Sequence, residues 1–215
     1  MKLINAREAV LEHFRWDGGH ADVWAVFRDG AALAAVVRGL AEPFRGAGVT
    51  AVVGLESRGF LLGAAAAVQL GVGFVPVRKE AGLFPGEKLT RETDPDYRRL
   101  RHTLRLQRAA LSGRDRVLLV DDWIETGSQA AAVRELVLEC GAGWAGCAVV
   151  VDQLTGRRRP ALGPIHGLLR ADELPADPEA GPARPCALPL RGGPLDGPGD
   201  RSGAAVRPTA PRGTA

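Results

Sequence analysis

Short apolar runs alternate with amphipathic stretches along the first 174 residues. The runs at 50–54, 74–77, 117–120 and 145–151 are too short for helices and are continuous rather than alternating. That pattern predicts strands buried on both faces of a parallel sheet. Between them apolar residues recur at helical spacing: Val10, Leu11 and Phe14; Leu33, Val36, Val37 and Leu40; then the alanine-rich stretches 60–70 and 130–140. Asn5 and Asp29 stand where the first two of these helices need N-caps. Residues 103–107, Thr-Leu-Arg-Leu-Gln, alternate like a half-exposed strand. Strands that alternate with helices predict an α/β fold with right-handed crossovers and ligands at the carboxyl ends of the strands.

Two stretches break the pattern. Residues 80–100 are polar and interrupted by Gly82, Pro85, Gly86 and Pro95; a loop of that length is either functional or disordered. Residues 176–215 hold eight of the fifteen prolines, with many Gly, Ala and Arg residues. No core can form from that composition, so a single domain over 1–175 and a disordered tail over 176–215 are expected.

Composition narrows the class. Hydrophobic residues make up 46% and charged residues 25% of the 215, ordinary for a soluble globule. A net charge of +3 is too small by itself to argue for nucleic acid, which is not expected as a partner, although arginines cluster at Arg98, Arg99, Arg101, Arg105 and Arg108 and again at Arg157, Arg158 and Arg159. Such runs are solvated faces or anion sites. Cys140, Cys147 and Cys186 lack ligand spacing, as do His13, His20, His102 and His166, so neither a disulfide framework nor a zinc site follows. No secretory start is visible, and 60–70 is too short to span a bilayer. A cytoplasmic protein without membrane attachment is expected.

The chemistry concentrates after the run at 117–120. Asp121 and Asp122 close that strand, and Thr126-Gly127-Ser128 opens the next helix. A helix start offers free N–H groups and a positive dipole end to a phosphate. Thr126 and Ser128 add hydroxyls, and Gly127 allows close approach. The aspartates can accept from sugar hydroxyls or organise a hydrated Mg²⁺. Neighbouring strand residues face opposite ways, so the two carboxylates have different duties unless the strand has already ended. No G-x-x-x-x-G-K-[ST] occurs, which argues against a P-loop nucleotidase.

With Phe27-Arg28-Asp29, the segment 52–60 (Val-Val-Gly-Leu-Glu-Ser-Arg-Gly-Phe), the segment 71–79 ending in Arg78-Lys79, the segment 117–127 and Leu154-Thr155-Gly156-Arg157 in this order, the chain resembles the type I phosphoribosyltransferases, the adenine branch above all. The resemblance implies a parallel sheet flanked by helices, with a small hood and a flexible lid loop. It implies an enzyme that joins a purine base to 5-phosphoribosyl pyrophosphate (PRPP), acts with Mg²⁺ held mainly by PRPP, and forms a homodimer. By the matched motifs, Glu125, Thr126, Gly127, Ser128 and Gln129 take the 5′-phosphate and Asp121 and Asp122 the ribose. Glu56, Ser57 and Arg58, with Arg78 and Lys79, face pyrophosphate. Phe27 and Arg28 meet the base, and Asp152 stands in the hood beside the base as a third base-binding residue. The lid at 80–100 would bring Asp96-Tyr97 where the family carries Glu-Tyr.

Three departures stand out. The phosphate loop reads Glu-Thr-Gly-Ser-Gln where the family has Ala-Thr-Gly-Gly-Thr: Ser128 restores a hydroxyl, Gln129 loses one, and Glu125 must point away from the anion or pair with an arginine. Asp96 is shorter than glutamate. Asp152 can select an acceptor other than adenine. Two further readings therefore remain beside the enzyme: a catalytically silent PRPP- or nucleotide-sensing protein, and a phosphoribosyltransferase with a non-adenine acceptor.

Overall fold

The computed structural model describes residues 4–79, 84–95, 100–156 and 158–178. Helix α1 (Ala6–His13) starts at Asn5, whose side chain accepts from the Glu8 N–H at 2.8 Å. Strands β1 (Arg15–Asp17) and β2 (His20–Asp22) form a hairpin through Gly18 and Gly19. Both glycines have positive φ, 53° and 74°, as a tight two-residue hairpin turn needs. Helix α2 (Trp24–Arg28) leads to α3 (Gly30–Ala41), capped by the Asp29 carboxylate on the Ala32 N–H at 2.7 Å.

The central unit then unfolds in order: β3 (Ala51–Leu55), α4 (Arg58–Leu70) and β4 (Gly73–Val77). An antiparallel ribbon follows, β5 (Lys88–Glu92) against β6 (Thr103–Gln107). Next come β7 (Arg116–Ile124), α5 (Ser128–Glu139), β8 (Gly143–Asp152), the short α6 (Arg158–Ala161) and β9 (Ile165–Arg170). The main sheet has the order β4-β3-β7-β8-β9, and every neighbouring pair is parallel. Chain progression reverses between β3 and β7, where open α/β sheets place a ligand crevice.

Each face of the sheet buries its own core. Val52, Leu118, Val120, Ala148 and Val150 pack with α1, α3 and α4. Their neighbours Val53, Leu119 and Val149 pack with α5 and the inner face of the ribbon, Leu104 and Leu106. Alternation by two along strands covered on both faces explains why the runs are continuously apolar. No described helix is long and apolar enough to cross a membrane.

The expected elements are present, with shifted ends. Strand β7 continues four residues past Val120, because β8 still supplies partners: Asp121 lies opposite Val149, Trp123 opposite Val151 and Ile124 opposite Asp152. Helix α5 begins at Ser128 and α4 at Arg58, each two residues earlier than apolar spacing indicates. The stretch 80–100 is not one loop. Its part 88–92 is β5, held by pairing with β6 although Leu89 is its only large apolar residue. Residues 80–83 and 96–99 lie outside the described residues, as do Arg157 and the expected tail from 179 onward.

Helix α4 approaches the sheet through three glycines. A Cβ on Gly54 would lie 2.1 Å from the Gly59 carbonyl oxygen, and one on Gly63 would lie 2.8 Å from the Phe74 ring. Backbone cannot yield as a flexible side chain can, so a methyl at 54 must push α4 away. Gly54→Ala is expected to cost about 2 kcal/mol or more, a fall of roughly 4–8 °C in Tm for a domain of this size. Thermal unfolding followed by circular dichroism checks it; an unchanged Tm would contradict the close packing.

Candidate active site

The turn after β3 and the strand end of β7 face one another across the reversal point. At the first, the Glu56–Ser57 peptide is cis and α4 begins immediately at Arg58. Glu56 gathers the end of β4: its carboxylate accepts from Arg78 Nη2 at 3.2 Å and from the Lys79 N–H at 3.0 Å. Burial on its own would raise the Glu56 pKa. The Lys79 amide and the Arg78 and Lys79 charges outweigh that and hold it below the usual carboxylate range. Two cationic residues are thereby fixed beside the turn.

On β7 the two aspartates stay within the strand and turn to opposite faces. Asp122 shares its face with Leu118 and Val120 and lies 2.9 Å (Oδ2) from Arg58 Nε. Beyond this ion pair the buried oxygen has no hydrogen-bond partner among the described residues, so it can still accept from a proton donor or a hydrated cation. The Arg58 guanidinium also lies 6.0 Å from the Trp24 ring centroid, and Trp24 meets Phe27 edge-on at 5.8 Å. Phe27 is half-buried and packs on the core, while Arg28 is exposed at the end of α2. Asp121 lies against the start of α4, where a Cβ on Gly59 would come within 2.8 Å of its Oδ1.

The loop that follows is built for close approach. Gly127 is left-handed at φ 70° and caps α5. Leu154 and Leu162 crowd it so closely that a Cβ there would meet them at 3.1 and 3.2 Å. The Thr126 and Ser128 hydroxyls lie 3.0 Å apart, and the Ser128 N–H reaches Thr126 Oγ1 at 3.3 Å. Ser128 is buried; Glu125, Thr126 and Gln129 are half-buried. The loop brings the N-terminus of a twelve-residue helix together with two hydroxyls, groups that could turn to an anion.

Of the residues singled out from the sequence, Glu56, Ser57, Arg58, Arg78, Lys79, Asp121, Asp122 and the loop 125–129 come together at the carboxyl ends of β3, β4 and β7. Phe27 joins them through Trp24. Asp152 ends β8, and its carboxylate is already engaged: it accepts from Arg159 Nη2 at 2.6 and 2.5 Å and from the Leu154 N–H at 3.0 Å. Asp96 lies outside the described residues. Pattern reading passed over Trp24, Trp123, whose indole donates to Gln153 Oε1 at 2.8 Å, and the separate roles of Arg158 and Arg159. The indoles carry no spacing signal, and the arginines are hidden within a run of three. Among the described residues no group of three or more His, Cys, Asp or Glu side chains could hold a metal ion unaided. Cys147 is buried, and burial first, then Asp121 and Asp152, push its thiol up to about 12, far from a reactive thiolate.

Burial first, and the Asp122 charge second, push the Asp121 carboxyl well above its usual range, with Lys79 pulling the other way. The folded protein thus holds a proton there that the unfolded chain has lost. Stability therefore falls as pH rises from the ordinary carboxylate range through the raised pKa. Asp121→Asn is expected to raise Tm at about pH 8, with the gain fading toward about pH 4, where the native carboxyl is protonated as well. Thermal melts at the two pH values check this; a variant no more stable at the higher pH would refute the buried-charge account.

Comparison with known proteins agrees with this geometry. Residues 24–173 match the model of the phosphoribosyl transferase domain. An adenine phosphoribosyltransferase of Streptomyces avermitilis is 40% identical over 182 residues, 79% of this chain and 98% of the relative. One from Methylococcus capsulatus is 43% identical over 150 residues, 69% of this chain and 86% of the relative. Among solved structures, adenine phosphoribosyltransferase from Rhodothermus marinus superposes with a TM-score of 0.69 at 35% identity, covering 77% of this chain and 98% of that one. The Giardia lamblia enzyme, solved with 9-deazaadenine, gives 0.69 at 29% identity, covering 78% and 98%. The family model and these relatives place the chain: it belongs to the type I phosphoribosyltransferase family, on the adenine phosphoribosyltransferase side.

Proposed function

We propose that this chain transfers the phosphoribosyl group of PRPP to a purine base, adenine foremost, releasing pyrophosphate and a nucleoside 5′-monophosphate. One observation carries the reading. The start of α4 touches both aspartates of β7, so the cation-bearing turn after β3 and the anion cradle of α5 flank a single crevice. PRPP needs just that spacing of functions: a monophosphate at one end, a diol between, a pyrophosphate at the other.

In the reaction a base nitrogen attacks C1 of the ribose, the C1–oxygen bond to pyrophosphate breaks with its electron pair staying on the pyrophosphate, and the base nitrogen gives up its proton to solvent. The Gly127 and Ser128 N–H groups and the Thr126 and Ser128 hydroxyls hold the 5′-phosphate, with Glu125 and Gln129 at the rim. Asp121 and Asp122 accept from the ribose hydroxyls and stand beside the positive charge that grows at C1. Arg58 beside Ser57, with Arg78 and Lys79 held there by Glu56, meets the charge on the departing pyrophosphate. To do so Arg58 turns from Asp122, which frees that carboxylate for the sugar. Phe27 offers its ring to the base beside Arg28, and Asp152 braces the neighbouring hood with Arg159. Asp96 would close over the substrate from the lid. Mg²⁺ would be held mainly by PRPP, with Asp121 or Asp122 as the residues that would hold it through water, and would supply positive charge against the pyrophosphate. The adenine assignment follows the printed identities of the relatives. A cytoplasmic setting suits a substrate of this kind, and the residues from 176 onward lie beyond the catalytic domain.

A homodimer suits the surface of α4. Leu61 and Val68 are 52% and 82% exposed and, with half-buried Ala64 and Ala65, form an apolar stripe at helical spacing. Incubation with PRPP, Mg²⁺ and a panel of purines should yield pyrophosphate and a nucleotide; no turnover with any purine, while a control enzyme works, would overturn the reading. Arg58→Ala is expected to cost at least about a hundredfold in kcat/KM. Val68→Asp should shift the protein toward monomer in light scattering, and an unchanged mass would place the subunit contact elsewhere.

A further inference from the structure

Arg158 sits on α6, outside the crevice, yet its side chain joins two distant segments. Nη1 donates to the Thr126 carbonyl oxygen at 3.2 Å, and Nη2 pairs with the Asp94 carboxylate. Asp94 lies two residues past the end of β5. The last rung of the ribbon is immediately before it, where the Thr93 N–H donates to the His102 carbonyl and the His102 N–H to Thr93 Oγ1. The other acceptor is the carbonyl between Thr126 and Gly127. In a trans peptide the C=O and the following N–H point in opposite directions. Holding the Thr126 oxygen against α6 therefore aims the Gly127 N–H away from α6, as the cradle requires.

We propose that Arg158 is a positioning residue for phosphoribosyl binding: its guanidinium joins Asp94, at the foot of the β5–β6 ribbon, to the phosphate loop, so that the loop's affinity for a sugar phosphate depends on this one contact and not on the other ties that dock the ribbon. The proposal rests on the phosphoribosyltransferase reading. A planar fork with two separate arms suits the task, and an ammonium group would not hold both acceptors in this way. The ribbon is also tied to the far half of α5, where Arg91 pairs with Glu135 at 3.1 Å and with Glu139, and Arg108 Nη1 donates to the Glu139 carbonyl at 2.8 Å. Those ties hold the ribbon without touching the phosphate loop. They provide a control for general loss of docking.

The test uses the full chain and calorimetric titration with ribose 5-phosphate, together with steady-state kinetics in PRPP. Asp94→Ala and Arg158→Ala are each expected to weaken ribose 5-phosphate binding about tenfold, to raise the KM for PRPP to match and to leave kcat within about threefold. The double variant should be no worse than Arg158→Ala, the signature of one shared contact. Asp94→Glu, which keeps the pair, should bind within about twofold of the native chain, as should Arg91→Ala. If Arg158 served only as a positive charge near the phosphate, Asp94→Ala would remove a competing carboxylate and tighten binding; that result overturns the proposal. Additive losses, an equal loss in Arg91→Ala, or unchanged affinity in both alanine variants overturn it too, and leave the phosphoribosyl site standing if the native chain binds. A native chain that binds neither ribose 5-phosphate nor PRPP removes the functional reading and the proposal together.

Discussion

The distance between α4 and the sheet sets the geometry of this molecule. Without side chains on Gly54, Gly59 and Gly63, the helix settles against β3 and the end of β7 at backbone contact. Its first residue, Arg58, then reaches Asp122, and its second abuts Asp121. A helix displaced by one methyl would draw the arginine away from the carboxylate and open the crevice where the substrate's diol would lie. Packing at this point is thus also the alignment of the reacting groups, and errors of about an ångström there are costly for catalysis.

Around that contact the charges are arranged to be spent on a ligand. Asp121 is kept where ionisation is unfavourable, and a carboxyl perturbed by burial in a crevice commonly marks function. Asp122 is paired with Arg58 at 2.9 Å. Opposite them, Glu56 does the reverse: its low pKa records full satisfaction, and it uses that charge to hold Arg78 and the Lys79 backbone in place. One carboxylate gathers the cations of β4, a second pairs with Arg58, and the third lies against the start of α4.

Much of the fold was legible because its signals are local. Asn5 and Asp29 cap helices through their own side chains, three residues away at most. The apolar runs at 51–54, 117–120 and 145–151 are strands because burial on both faces leaves no room for polar positions. The carboxyl ends of those strands were equally readable, so Glu56, Arg58, Asp121, Thr126 and Ser128 could be gathered into one site before any coordinates. What escaped had no local signature. Strand β5 is polar apart from Leu89 and exists through its pairing with β6. Strand β7 runs through both aspartates because β8 is long enough to accompany it.

The amino-acid order by itself determined the alternation of strands and helices, the caps, and the placement of phosphate and sugar chemistry at strand ends, since each depends on residues within a few positions of one another. Only the tertiary structure decided which charges are free to act. Asp152 is tied down by Arg159, Arg58 rests on Asp122 beneath Trp24, and Arg158 binds a carbonyl 32 residues back in the chain. Those pairings join segments far apart in sequence, and no local pattern encodes them, because they exist only after sheet order and helix packing have brought the partners within hydrogen-bonding range.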